Sequence, residues 1–285
     1  MQPIDYLEQA VQLIETHSYY QPSIEKWTQH KASVFAQLTS ATTLDDVHHL
    51  IRDLLYTLGD NHSHLLPPNW QTNPQKTAQN LPTARKIASW GYIHLPQVVG
   101  DDASMLTYAN TIAQHITKLM PVSGWVIDLR DNTGGNMWAM LAGIGAIAGA
   151  GVLGSFIDRD GMRVDWGYEA GASMYDGEAV YTISEPNGFD TLSQPVAVLI
   201  GERTASSGEL TLVSFLGRLR TRTFGQATRG VPTANDIYPL ADGARLVLTQ
   251  FVSADRQHRT YYSPILPDVI CDDALKTATT WLSTQ

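Results

Sequence analysis

Met137 to Ile157 runs 21 residues without a charged side chain, and the role of that stretch decides what the rest of the chain can be. About 20 apolar residues suffice to cross a bilayer as a helix. Gly145 and Gly149 also stand at the small-xxx-small spacing by which membrane helices pair. Against a membrane span, five glycines interrupt the stretch, it is a lone segment, and it follows directly on the charged run Asp128-Leu129-Arg130-Asp131. It is therefore read as a buried core helix with a glycine-rich exit. Gly149-Ala150-Gly151-Val152-Leu153-Gly154 within it formally matches a dinucleotide fingerprint. That motif should follow a strand and open a helix, and here it closes one.

A helix so apolar needs a large core around it. With 285 residues the chain can bury one without disulfides or metals, as one large domain or two modest ones. Charged residues make up 16% and aromatics 9%, and no polar low-complexity tract occurs, which excludes disorder as the main state. A net charge of −9 with no cluster of Lys or Arg argues against a nucleic-acid partner. The single cysteine, Cys271, excludes an internal disulfide and any multi-cysteine metal site, and it reads as a small buried apolar residue. The N-terminus, Met1-Gln2-Pro3-Ile4-Asp5, lacks the basic and apolar regions of a signal peptide. A cytoplasmic location is expected for the chain as it stands, and an extracellular or membrane-anchored one if a leader has been removed.

Residues 1–58 have the apolar spacing of helices, with Leu7, Val11 and Ile14 on one face and further helices expected at about 24–38 and 44–58. Gly59 stands where a C-cap glycine belongs. Residues 65–82 carry four prolines among Asn and Gln and read as a linker. From Ala84 onward, strands at Lys86–Leu95, Gly124–Leu129 and Val196–Ile200 alternate with helices at about 103–119, 137–149 and 207–219. Short strands near 222–224 and 244–252 and a helix at about 273–282 complete the pattern, which implies parallel βαβ units. The expected organisation is a helical domain over 1–66, a linker over 67–83 and an α/β core over 84–285. A polar, aromatic-rich section at about 158–190 would form an insertion or lid.

Three segments carry chemistry. Asp128-Leu129-Arg130-Asp131-Asn132-Thr133-Gly134-Gly135 is a strand end followed by paired glycines and a helix start. Glycine N–H groups in that position suit an anion or oxyanion, though an ordinary turn would look the same. Thr204-Ala205-Ser206-Ser207-Gly208-Glu209 follows a buried strand and opens a helix. It has the logic of a nucleophile elbow without a strict G-x-S-x-G. Ser206 and Glu209 also form a capping box, which needs no function. Gly59-Asp60-Asn61-His62-Ser63-His64 places a histidine on a polar turn, available as a general base near neutral pH. His62 and His64 could instead be two metal ligands, but no third ligand is evident, so no metal or other cofactor is expected.

In this order the three segments resemble the tail-specific, or C-terminal processing, family of serine peptidases. The resemblance runs from Asp60 to Pro267-Asp268, about 210 of the 285 residues. It implies an α/β fold with a crotonase/Clp-protease-like core of βαβ units, preceded by a small helical N-terminal domain. It also implies Ser206 as nucleophile, with Ser207 as the structural neighbour. Gly135 and the Ser207 N–H would form an oxyanion hole, with Gly134 shaping the turn. The best-known branch pairs its serine with a lysine about 25 residues later. Here Phe224-Gly225-Gln226-Ala227-Thr228-Arg229-Gly230-Val231 has Val231 in that place, and no lysine occurs between Lys118 and Lys276. Arg229 stays protonated and cannot be the base. His62 instead resembles the catalytic histidine of the tricorn-like and nisin-resistance-type branches, which implies a Ser206–His62 dyad. The glutamate that tricorn-like members place before Pro-Asp is missing from Tyr261-Tyr262-Ser263-Pro264. Asp60 is the candidate orienter, although a residue two positions away is more often a turn cap.

Residues 66–85 are too few for the PDZ domain that many members carry. Substrate selection is therefore expected from the helices and from Trp166, Tyr168 and Tyr175, with Tyr181 nearby; packed core aromatics are the alternative. The expected partner is a peptide or protein substrate, and the active site would lie between the helical domain and the core. Activity should rise with pH through about 6.5 if His62 titrates as an ordinary histidine. A crotonase-like acyl-CoA enzyme and a catalytically inactive peptide-binding module stay open as other classes.

Overall fold

The computed structural model describes residues 1–70, 81–186, 188 and 191–285. Parts of the expected linker (71–80) and of the aromatic-rich section (187, 189 and 190) lie outside the described residues. The chain divides into two compact units. The first comprises Met1–Gln71, Ile157–Met162 and Thr233–Val252, and the second Thr72–Phe156, Arg163–Pro232 and Ser253–Gln285.

In the first unit, helices α1 (Pro3–His17), α2 (Ile24–Phe35) and α3 (Leu44–Tyr56) precede a short strand β1 (His64–Leu66). Local signals set the helix starts: Pro3 in the first turn of α1, and a Thr43/Asp46 capping box at α3. Tyr6, Leu7, Val11 and Ile14 of α1 and Val47, Ile51, Leu54 and Leu55 of α3 meet in one buried cluster. The unit is not purely helical. Strands β11 (Thr233–Pro239) and β12 (Arg245–Asp255) form a hairpin, and β1 pairs antiparallel with β12 through His64 opposite Val247. Leu240, Ala244, Leu246 and Leu248 of the hairpin enter the same cluster. At the hairpin turn, Asp242 accepts from the Tyr6 hydroxyl (2.6 Å) and lies 2.8 Å from His48 Nε2, tying α1 and α3 to it.

The second unit is built on a sheet in the order β14-β10-β9-β4-β3-β2. Its strands are β2 (Thr83–Ile87), β3 (Trp90–His94), β4 (Gly124–Asp128), β9 (Val196–Ile200), β10 (Thr221–Gly225) and β14 (Val269–Ile270). All neighbours are parallel except β2 and β3. The single strand expected over Lys86–Leu95 is thus the end of one strand and the whole of another, reversed at Ala88, whose φ is +52°. Helix α4 (Asp102–Leu119) connects β3 to β4, α6 (Ser207–Val213) connects β9 to β10, and α7 (Ala274–Leu282) closes the chain.

The uncharged stretch resolves into helix α5 (Met137–Ala148) and strand β5 (Gly151–Ile157). At 12 residues α5 is too short to span a bilayer, and no described helix is long and apolar enough to do so. It is apolar all round because it is covered all round. Gly143 lies against Ile112 of α4, and Gly145 against the Tyr168 ring. Its C-terminal carbonyls are taken by the buried Arg218 and the half-buried Arg256, Arg218 Nε to Ile147 O and an Arg256 terminal nitrogen to Ala148 O, both at 2.9 Å. Cations suit that end of the helix dipole.

The expected lid is an ordered meander of β6 (Arg163–Glu169), β7 (Ala172–Tyr175) and β8 (Glu178–Thr182), following β5. Trp166 is 1% exposed and packs on Gly154 and Phe156, and Tyr168 is 5% exposed over Gly145. Neither ring keeps a face for a substrate; both serve the core, because glycines on α5 and β5 leave space that only large rings fill. Tyr175 is half-buried beside Trp138 at 5.2 Å between ring centroids. The remaining strand, β13 (Thr260–Tyr261), pairs with the end of β12.

Candidate active site

The turn between β9 and α6 is strapped to the loop after β4. Thr204 Oγ1 accepts from the Gly201 N–H (3.0 Å) and donates to Leu129 O (2.9 Å), and the Ala205 N–H donates to Asn132 O (2.9 Å). These straps force Ser206 to φ +53° and ψ −122°. A side chain with a Cβ adopts that conformation at a cost of about 1–3 kcal/mol, and such strain concentrates at functional positions. It is the strained strand-to-helix turn that lifts a nucleophile to a strand tip.

Glu209 sustains the strain. Its side chain is fully buried and takes hydrogen bonds from four donors: the N–H groups of Ser206 (3.0 Å), Gly230 (2.9 Å) and Val231 (2.9 Å), and the Thr228 hydroxyl. Burial pushes its carboxyl above the usual carboxylate range, and the four donors oppose that rise. Ser206 and Glu209 form a capping box at the start of α6, in which the Ser206 side chain faces the Glu209 N–H and Glu209 takes the Ser206 N–H.

Gly134 and Gly135 lie beside this serine. A methyl group on Gly134 would stand 3.0 Å from Ser206 Cβ and 3.5 Å from its Oγ. A methyl group on Gly135 would fall 1.8 Å from Val98 O, and both glycines have positive φ, near +110°. The Gly134 N–H is spent on Asn132 Oδ1 (3.0 Å), which makes Gly134 a turn former. Its carbonyl accepts from the Val98 N–H (3.3 Å), so the trans peptide that follows turns the Gly135 N–H away from Val98. At the first position of α6, the Ser207 N–H has no intrahelical acceptor. Ser207 is buried, and its hydroxyl donates to Gly135 O (2.7 Å), joining the serine turn to the glycine loop.

In the first unit, Asp60 caps the histidine turn and leaves the ring alone. Its carboxylate accepts from the N–H groups of His62 (2.8 Å) and Ser63 (2.5 Å) and from the Ser63 hydroxyl (2.8 Å). The ring partner is Thr233, whose Oγ1 lies 2.6 Å from His62 Nδ1. Burial lowers the His62 imidazole to about 4; Asp60 opposes the shift and His64 adds to it. His64 is exposed and bonds through Nδ1 to His62 O (2.8 Å).

The first unit thus brings His62 together with Thr233, and the second brings Ser206, Ser207, Gly134 and Gly135 together. Val231 is buried, with its N–H on Glu209, and Arg229 binds Thr204 O through its own N–H. Sequence reasoning missed two residues. Glu209 showed only as a capping partner, and Thr233 lies outside every motif. Among the described residues no group of three or more His, Cys, Asp or Glu is placed to hold a metal ion.

A strained serine at a helix start, packed beside a loop of two positive-φ glycines, is the arrangement of a serine hydrolase. Residues 89–271 match the sequence profile of peptidase family S41. The chain belongs to that family and is a serine-type peptidase, acting on peptide or protein substrates. It is similar to the nisin-resistance protein of Lactococcus lactis subsp. lactis, 25% identical over 284 residues, 99% of this chain and 88% of the relative. It also resembles the carboxyl-terminal-processing protease of Synechocystis sp., 25% identical over 207 residues, 70% of this chain and 42% of that protein. Among solved structures, a lipoprotein from Streptococcus agalactiae superposes with a TM-score of 0.83 at 25% identity, covering 100% of this chain and 97% of that one.

Proposed function

We propose that the chain hydrolyses a peptide bond near the tail of a peptide or protein by a Ser206–His62 dyad. His62 takes the proton from Ser206, whose oxygen attacks the carbonyl. The N–H groups of Gly135 and Ser207 receive the negative charge of the tetrahedral intermediate, each donor contributing roughly 3–4 kcal/mol in comparable enzymes. His62 then protonates the leaving amine, and water resolves the acyl-enzyme. The strained backbone of Ser206 against the glycine loop carries this reading. The name of the Synechocystis relative supports the choice of a tail as substrate. The helical segment supplies the histidine and the α/β core the serine. The lipoprotein and nisin-resistance relatives favour a chain that works outside the cytoplasm or anchored to a membrane.

A fluorescent fluorophosphonate tests the nucleophile, because it phosphonylates an activated serine. Wild type should label, and Ser206→Ala should lose labelling and hydrolysis of labelled casein together. Equal labelling of both proteins would overturn Ser206 as the nucleophile.

A further inference from the structure

We infer that Thr233 is the positioning residue of His62, filling with a neutral hydroxyl the place that a carboxylate takes in a catalytic triad. The inference deepens the dyad reading and rests on it.

Thr233 opens β11, is 3% exposed, and has its Oγ1 2.6 Å from His62 Nδ1. The carboxylate nearest in sequence, Asp60, is committed to the backbone of the turn and to Ser63. The turn itself is held in register with the hairpin that carries Thr233. The Thr249 N–H of β12 donates to Ser63 Oγ (3.0 Å), and Thr249 Oγ1 donates to Asn235 Oδ1 of β11 (3.0 Å). Ring and hydroxyl are therefore positioned by one network. Val231, whose N–H is held by Glu209, precedes Thr233 by two residues.

A hydroxyl differs from a carboxylate in two ways. It can accept from Nδ1–H, which leaves Nε2 unprotonated as a base, and it can donate to Nδ1 instead. It also carries no charge, so it orients the ring without stabilising the imidazolium. The charged groups acting on the ring are Asp60 and His64 of its own turn, while β11 and β12 present Thr233, Asn235 and Thr249, none of them charged. Orientation without charge agrees with the lowered His62 imidazole.

The test measures the rate of fluorophosphonate labelling from pH 3.5 to 8, with folding checked by circular dichroism. Thr233→Val, which keeps the shape and loses the hydroxyl, should slow labelling by about tenfold or more, and Thr233→Ser should restore it to within about threefold of wild type. Thr233→Asp should move the acid limb of the profile upward by about one pH unit or more, because a carboxylate favours the protonated ring. Labelling of Thr233→Val at the wild-type rate with an unchanged profile, while His62→Ala loses labelling, would overturn the inference alone. Wild-type labelling in His62→Ala would overturn the dyad, and this inference with it.

Discussion

Ser206 and His62 are both held in states that their side chains would not choose in water. For the serine the cost is backbone strain, offset by the Glu209 hydrogen bond to its N–H. For the histidine it is burial, which lowers the imidazole to about 4 from an ordinary value of 6.5. In the proposed dyad the base must be neutral to accept a proton, so activity should rise with pH through about 4, in place of the 6.5 expected of an unperturbed histidine. A profile of casein hydrolysis whose acid limb sits near 6.5 would show that burial does not govern the ring. The same shift sets a stability window. Between about 6.5 and 4 the unfolded chain binds a proton that the folded ring refuses, so this group makes the fold less stable as pH falls through that range.

At the scale of elements, the β11–β12 hairpin links the helices to the histidine. Thr233 at its start meets the His62 ring, and Asp242 at its turn holds Tyr6 of α1 and His48 of α3. Burial acts to raise the Asp242 carboxyl, but the Tyr6 hydroxyl, the Ala244 N–H and His48 together bring it below the usual range. Its stabilising effect is therefore present above about pH 4 and fades as the pH falls through its lowered value. Asp242→Ala leaves the Tyr6 hydroxyl and His48 without this partner and should cost about 2–3 kcal/mol. The loss is read from the urea midpoint of the helical circular-dichroism signal at pH 7. An unchanged midpoint would mean that the apolar cluster alone holds the hairpin. Helix α5 shows the opposite arrangement. It has no polar side chain to direct it, and small residues on its surface admit α4 on one side and the Tyr168 ring on another.

At the scale of the molecule, a net charge of −9 attracts cationic peptides over about a Debye length and repels anionic ones. Between roughly 20 and 300 mM salt, kcat/KM for a lysine-rich peptide should fall several-fold while that for an aspartate-rich analogue rises. Identical salt dependence for both would place substrate choice in short-range contacts alone.

Strand–helix alternation, the 12-residue span of α5 and the order of three motifs were legible because each is written in neighbouring residues. Val196–Ile200 as a buried strand, Ser206 at a helix start and the paired glycines all follow from local pattern. The hairpin strand β11 was not legible: Thr233–Pro239 is mostly polar, and only its pairing with β12 makes it a strand. Trp166 and Tyr168 read equally as groove or core, and glycines far off in the chain decided for core. Sequence alone singled out the candidate residues for the chemistry, since a serine, a histidine and two glycines are recognisable by type and order. Only the tertiary structure decided what tunes them. Thr233 reaches His62 across 171 positions and Glu209 gathers donors up to 22 residues away. Hydrogen bonds and desolvation act through space, and separation along the chain does not record them.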